Sequence, residues 1–214
     1  MANTHTFTKG EEIANSITHG IGIPLSAAAL TLLIVFSSMY GNVEHIVTFS
    51  IYGATMLFLY LASTLLHSFP AGKLKDLFEI FDHSSIYFFI AGSYTPFMLI
   101  VVKGWVGWTL LAVVWSLAIG GTIFKCFFVK KYLYVSTLLY VLMGWLIVLA
   151  WKPLASNLST GGLTLLVIGG IIYSLGSIFY IWRGFKYHHA VWHMFVIAGS
   201  SLHFFCILFY VLPL

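Results

Sequence analysis

His189 and His193 stand four residues apart in the run His188-His189-Ala190-Val191-Trp192-His193, near the C-terminal end of a 214-residue chain. On a helix that spacing stacks the two imidazoles on one face, one turn apart. Two imidazoles so placed form half of a zinc site, as in helical metalloproteases, although the glutamate that follows the first histidine there is absent here. Histidines four apart also occur as solvated or core residues. The position favours chemistry: the pair opens an apolar segment, where ionisable groups are costly and mark function.

Ser63 and His67 repeat the spacing of four. His67, His189 and His193 together supply three nitrogen ligands and leave a fourth position for water, which is the pattern of catalytic zinc; structural zinc is usually closed by four protein ligands. Zinc lowers the pKa of a water it binds to about 7. Asp82 is the carboxylate expected to orient that water or accept its proton. Ser63, one turn from His67, is expected to hydrogen-bond the same water or an oxyanion. Glu11, Asn15, Thr18 and, more loosely, His19 recur at intervals of four, three and one, and form a polar helical face. That face is expected to support the ligands from behind, as outer groups do around zinc. In the competing reading, all of these side chains are buried polar cross-links between helices. His203 lies ten residues past His193, roughly 15 Å along a helix and too far to share the ion. His5, His45 and His188 read as loop or interface residues, and His83 as pointing away from the direction of Asp82.

Positioning these groups is the task of an all-helical membrane bundle. The chain is 60% hydrophobic and 7% charged, whereas a soluble domain carries about 25% charged residues. Such a chain cannot cover itself with polar surface and belongs in a bilayer. Seven apolar runs are long enough to span, at about 13–40, 45–69, 80–102, 105–128, 132–151, 160–182 and 189–212. They follow a short lead-in over residues 1–12. No linker divides them, so residues 1–214 read as one domain. Thr8-Lys9-Gly10-Glu11 has the form of a capping box at the first helix start. Glu11 and Glu12 stand where a secretory signal would be basic, so the first run is expected to remain as a span. Residues 70–76 read as a polar loop, and Pro96 as a kink. Gly120-Gly121 and Gly169-Gly170 read as sites of close helix approach. Trp105, Trp108, Trp151, Trp182 and Trp192 fall near span ends, as interfacial aromatics do. No soluble segment is expected beyond the seventh span.

Charge sets the expected orientation. The N-terminus and the loops after spans two, four and six hold Lys9, Lys73, Lys75, Lys125, Lys130, Lys131, Arg183 and Lys186; the opposite side holds only Lys103 and Lys152. This bias places the N-terminus in the cytoplasm and the C-terminus outside. It also accounts for the net charge of +4 without a nucleic-acid partner. Cys126 and Cys206 then lie near opposite faces, so no disulfide joins them. The polar ends of spans one, two, three and seven all fall within roughly 15 Å of the cytoplasmic edge. That convergence of four helices is stronger evidence than any single motif.

Taken in order, Glu11-x-x-x-Asn15-x-x-Thr18-His19, Ser63-x-x-x-His67, Asp82 and His189-x-x-x-His193 resemble the bacterial haemolysin III branch of the progestin and adipoQ receptor family. The resemblance covers nearly the whole chain. It implies seven helices with the N-terminus inside, zinc on His67, His189 and His193, and a water held near Asp82. The wider superfamily includes alkaline ceramidases, zinc-dependent hydrolases of lipid amides, in which the serine matching Ser63 sits by the zinc water. The chain is expected to differ from the receptor members in lacking their long N-terminal cytoplasmic region and any C-terminal extension.

Three functions fit this pattern. One is a zinc hydrolase acting on an acyl lipid, amide or ester, in a bacterial inner membrane, with membrane lipid as partner. Another is a sensor of membrane state with structural zinc. The third is a haemolysin-like cytolytic protein. A retinal pump is excluded, because span seven has no lysine for a Schiff base. A channel would need polar residues through the full depth of the spans, and their outer halves are almost wholly apolar.

Overall fold

The structure, a computed structural model, describes residues 7–214, and among these every regular element is a helix. Thr8 caps α1 (Lys9–Tyr40) as its sequence predicts. The Thr8 hydroxyl accepts from Glu11 N–H, and the Glu11 carboxylate accepts from Thr8 N–H at 2.9 Å. Along α1 the buried positions are Asn15, His19, Gly22, Ser26, Ala29, Leu33 and Ser37, a stripe of period three to four made mostly of small and polar residues. Ile13, Ile17, Ile21 and Leu25 are exposed on the other faces. This inversion suits a lipid solvent, where apolar side chains gain little by hiding and small residues let backbones approach.

Helix α2 (Val43–Ser68) follows a turn in which Asn42 caps the first amides. Helix α3 (Lys73–Pro96) continues through a π-helical turn, Phe97–Val102. The helix begins about two turns before the expected start of the span, inside the stretch read as a polar loop. The polar residues there are engaged and do not break the helix. Lys75 bonds across to Glu12, and Asp76 to Lys130. Polarity marked where the chain leaves the apolar layer and not where the helix starts. Pro96, expected to kink the span, stands directly before the π turn, consistent with its missing N–H.

Helix α4 (Gly104–Phe128) is followed by a fifth span in two pieces, α5 (Leu133–Trp145) and α6 (Trp151–Asn157), joined by a 3-10 turn at Leu146–Ala150. The apolar run 132–151 reads as one span, with no local mark of this break. Tyr94 of α3 repairs it: its hydroxyl accepts from Ile147 N–H at 2.6 Å and lies 2.9 and 2.8 Å from the carbonyls of Met143 and Gly144. Irregular backbone at this depth needs such partners because lipid offers none. Helix α7 (Thr160–Ile181) leads to α8 (His188–Cys206), which ends in a second π turn, Ile207–Val211.

Among the described residues seven helical segments are long and apolar enough to cross a membrane, so the chain is a multi-pass membrane protein. Span three is the hub. Its apolar window is 72% buried, against 17–50% for the other six. Span seven packs against α7 and also against α1, bringing the first and last spans together. Gly121 lies against the Tyr87 ring and Gly169 against His203, as expected for close approach, whereas Gly120 faces open space. Cys126 and Cys206 are free.

Candidate metal centre

One end of the bundle gathers the start of α1, the end of α2, the first turns of α3 and the start of α8. There His67, His189 and His193 each offer a ring nitrogen, and these three atoms lie within 4.8 Å of one another. All three residues are buried. Their ring centroids are 5.1 Å (His67–His189), 5.4 Å (His67–His193) and 4.5 Å (His189–His193) apart.

Two rings are oriented from behind. His67 Nδ1 lies 2.6 Å from Glu12 Oε2. A carboxylate accepts only, so Nδ1 carries the hydrogen and donates. His67 Nε2 is then left with a bare lone pair, buried and with no hydrogen-bond partner among the described residues. The second Glu12 oxygen accepts from Lys75 Nζ at 2.8 Å, and the same ammonium reaches the carbonyls of Leu66 and Phe69 at the end of α2. His193 Nδ1 faces the Asn15 carbonyl at 3.1 Å, with Thr18 Oγ1 at 3.0 Å. The carbonyl again assigns the hydrogen to Nδ1 and leaves Nε2 as the ligand nitrogen. A buried lone pair without a donor is costly, and a cation removes that cost. Neutral imidazoles held from behind by a carboxylate and a carbonyl are what metal-binding histidines require. The donor set therefore fits a metal ion that accepts imidazole, a group that includes zinc, copper, nickel and iron.

The other expected residues sort as follows. Asp82 is buried on α3, in electrostatic reach of His67, and lines a cavity together with His189 and His193. Ser63 is fully buried beside Asp82, and its hydroxyl makes no well-formed hydrogen bond. His19 lies flat on His193, with centroids 3.5 Å apart and planes 13° from parallel. The Asn15 side chain is buried without a hydrogen-bond partner, while its backbone carbonyl serves His193. Thr18 reaches His193 directly. Glu11 does not join them. It closes the capping box and accepts from Tyr187 N–H at 3.3 Å, tying the start of α1 to the start of α8.

Glu12 and Phe7 were missed in the sequence. Glu12, Asn15 and His19 are spaced three and four, a tighter helical face than Glu11, Asn15 and Thr18. The capping box had already engaged Glu11, and that was the available clue. The Phe7 ring covers the outer side of the site, 5.8 Å from His67, 5.9 Å from His188 and 5.1 Å from His189. No spacing rule pointed to it.

The remaining histidines differ from expectation in part. His83 is not turned away from Asp82: its Nε2 lies 4.0 Å from Asp82 Oδ2 and 3.3 Å from the Tyr180 hydroxyl. His188 is buried, with Nδ1 on the Phe179 carbonyl, and His45 is buried beside Asn42. Burial of the helix ends accounts for both. His203 bonds the Leu166 carbonyl, away from the three-histidine cluster. His5 lies outside the described residues.

The cavity occupies about 150 Å³. It begins at His19, Asp82, His189 and His193 and extends between apolar walls, including Ile86, Phe89, Val148 and Val196, towards Trp151 and His203.

A family model described as haemolysin-III related matches residues 7–204. The chain belongs to the haemolysin-III-related family. Its similarity to members of this family is extensive. It is 57% identical over 204 residues to the Hemolysin-3 homolog of Bacillus subtilis (strain 168), covering 95% of this chain and 96% of that one. It is 56% identical over 213 residues to Hemolysin-3 of Bacillus cereus, covering 100% and 97%. The human monocyte to macrophage differentiation factor is 32% identical over 203 residues, covering 92% and 83%. The resemblance to the progestin and adipoQ receptor family therefore holds across the chain. The Bacillus relatives of this haemolysin-III-family protein support a bacterial cell membrane as its location. No solved structure matches.

Proposed function

We propose that the protein is a zinc-dependent hydrolase of an acyl lipid, with His67, His189 and His193 as ligands and Asp82 and Ser63 as catalytic residues. The observation that carries this reading is the cavity. It joins two of the ligand histidines and the one carboxylate on its wall to a long apolar lining inside the bundle. A site that only fixed helices together would not need an apolar chamber opening from it, whereas an acyl chain does.

His67, His189 and His193 would hold the zinc, which would supply Lewis acidity and lower the pKa of a bound water to about 7. The chain supplies the rest. Asp82 accepts a proton from water, and Ser63 donates to the developing oxyanion. Glu12 and the Asn15 carbonyl hold the rings of His67 and His193 in one tautomer. His19 supports His193 by stacking. Phe7 keeps bulk water off the histidines, and the cavity wall receives the acyl chain. With the N-terminus in the cytoplasm, the orientation that the basic residues favour, the site lies at the inner headgroup level, where an ester or amide of a membrane lipid resides.

The test is release of fatty acid from a panel of acyl esters and amides by zinc-loaded protein in nanodiscs, with Asp82→Asn alongside. Loss of a general base costs about 10²- to 10⁴-fold in rate, while three imidazoles keep the zinc. Zinc-loaded wild type that is inert on every lipid would overturn the reading, and equal turnover by Asp82→Asn would remove Asp82 from the chemistry.

A further inference from the structure

His203 is a buried imidazole that the metal centre does not use. It lies ten residues past His193 on α8, about 15 Å further along the helix, and is 8% exposed. An ionisable side chain at that depth in a span is costly and points to a function of its own. The chamber reaches it: the cavity that begins at His189 and His193 is also lined by His203, Tyr173 and Leu166.

Helix α7 sets both the tautomer and the direction of the ring. His203 Nε2 lies 3.1 Å from the Leu166 carbonyl. A carbonyl only accepts, so Nε2 carries the hydrogen and Nδ1 keeps a bare lone pair. The Nε2–Cδ2 edge fills the space that Gly169 leaves, where a Cβ would collide with both atoms. Nδ1 is the corner of an imidazole opposite that edge, so it points away from α7 towards the bundle interior. It is buried there without a hydrogen-bond partner among the described residues. The hydroxyls on neighbouring turns are engaged elsewhere. Tyr60 Oη lies 2.6 Å from the Ser200 hydroxyl, and Tyr52 donates to the Ser200 carbonyl at 3.1 Å. The Tyr173 ring stands edge-on to His203, with centroids 5.4 Å apart, and gives Nδ1 no hydrogen bond.

A buried acceptor costs free energy until a donor meets it. In an apolar pocket, a few placed polar groups of this kind fix how a ligand lies and which ligand is chosen. The missing donor has to be neutral, because the carboxylate on the chamber wall, Asp82, is at the metal end. Along an acyl chain the simplest neutral donor is a hydroxyl.

We propose that His203 is a specificity residue: its Nδ1 accepts a hydrogen bond from a hydroxyl on the acyl chain, about 15 Å from the group held at the metal, so that the chamber prefers hydroxylated acyl lipids. This rests on the acyl-lipid reading above and names the class of acyl chain.

The experiment measures binding of free acids, the products of the proposed reaction, so it needs no turnover. Ricinoleic acid is oleic acid with a hydroxyl past the middle of its chain. Both acids, and the methyl ether of ricinoleic acid, compete with radiolabelled oleic acid for zinc-loaded full-length protein in nanodiscs. Wild type is expected to bind ricinoleic acid about 10-fold more tightly than oleic acid, as one well-made buried hydrogen bond allows. The methyl ether keeps the oxygen and loses the donor, and is expected to bind like oleic acid. His203→Phe is expected to lose the preference by weakening ricinoleic acid. Equal binding of ricinoleic and oleic acid by wild type would give Nδ1 to a buried water and overturn the inference. So would a preference that persists in His203→Phe, or a methyl ether as tight as ricinoleic acid; the ether decides alone if the variant does not fold. Protein that prefers ricinoleic acid but is inert on every lipid keeps this inference and loses the hydrolase. Protein that binds none of the acids overturns both.

Discussion

Glu12 Oε2 lies 2.6 Å from Nδ1 of His67, and this contact decides which nitrogen of His67 is left free to bind a metal. The acid comes from the first span, the imidazole from the second, and Lys75 of the third span holds the acid in place. Removing the carboxylate charge frees the tautomer and lets the ring rotate. Glu12→Gln is therefore expected to weaken metal binding about 10- to 100-fold, as loss of an outer partner does at other metal sites. Glu11→Gln, one residue away, is expected to leave affinity unchanged and to loosen the helix start. Competition against a chelator of known affinity measures both variants. Equal affinities for the two would remove Glu12 from the site.

Phe7 makes a separate prediction about access. Its ring covers His67, His188 and His189 from the outer side, so it should slow exchange without changing the donor set. Phe7→Ala is expected to hold as much metal at equilibrium as wild type and to lose it faster to excess chelator. Stopped-flow chelation reads the rate. An unchanged rate would show that the ring does not cover the path.

Much of the bundle was legible in the sequence. Apolar runs of spanning length follow from the bilayer as solvent, and they are legible without knowledge of any contact. The three histidines were legible because helical spacing and topology put them at one level. Their supports were less so. Glu12 differs from Glu11 by 100° around the helix, and only the packing of α1 against α2 and α8 chooses between them. Lys125 read as a loop cation because α4 stays helical past the point where polarity rises. The break in the fifth span had no local signal, because its backbone is satisfied by Tyr94, a residue far away in the chain.

That last relationship carries a prediction of its own. The Tyr94 hydroxyl serves Ile147 N–H and the carbonyls of Met143 and Gly144 within the bundle. Tyr94→Phe keeps the ring and takes the acceptor from Ile147 N–H, at a cost of about 1–3 kcal/mol for a group left unsatisfied in a buried place, while the Met143 carbonyl keeps its bond from Leu146 N–H. The expected result is a lower thermal midpoint in detergent with unchanged metal content. A midpoint equal to that of wild type would mean that water or a rearranged turn takes over the role of the hydroxyl.

The central claim is that His67, His189 and His193 hold one ion together. Elemental analysis of purified wild type and His189→Ala, each reconstituted with zinc and freed of excess, tests it most directly. With three imidazoles in place the account predicts about one zinc per chain in wild type and a large loss in His189→Ala, while His203→Ala keeps the wild-type content. Equal zinc in wild type and His189→Ala, or none in wild type, would contradict it.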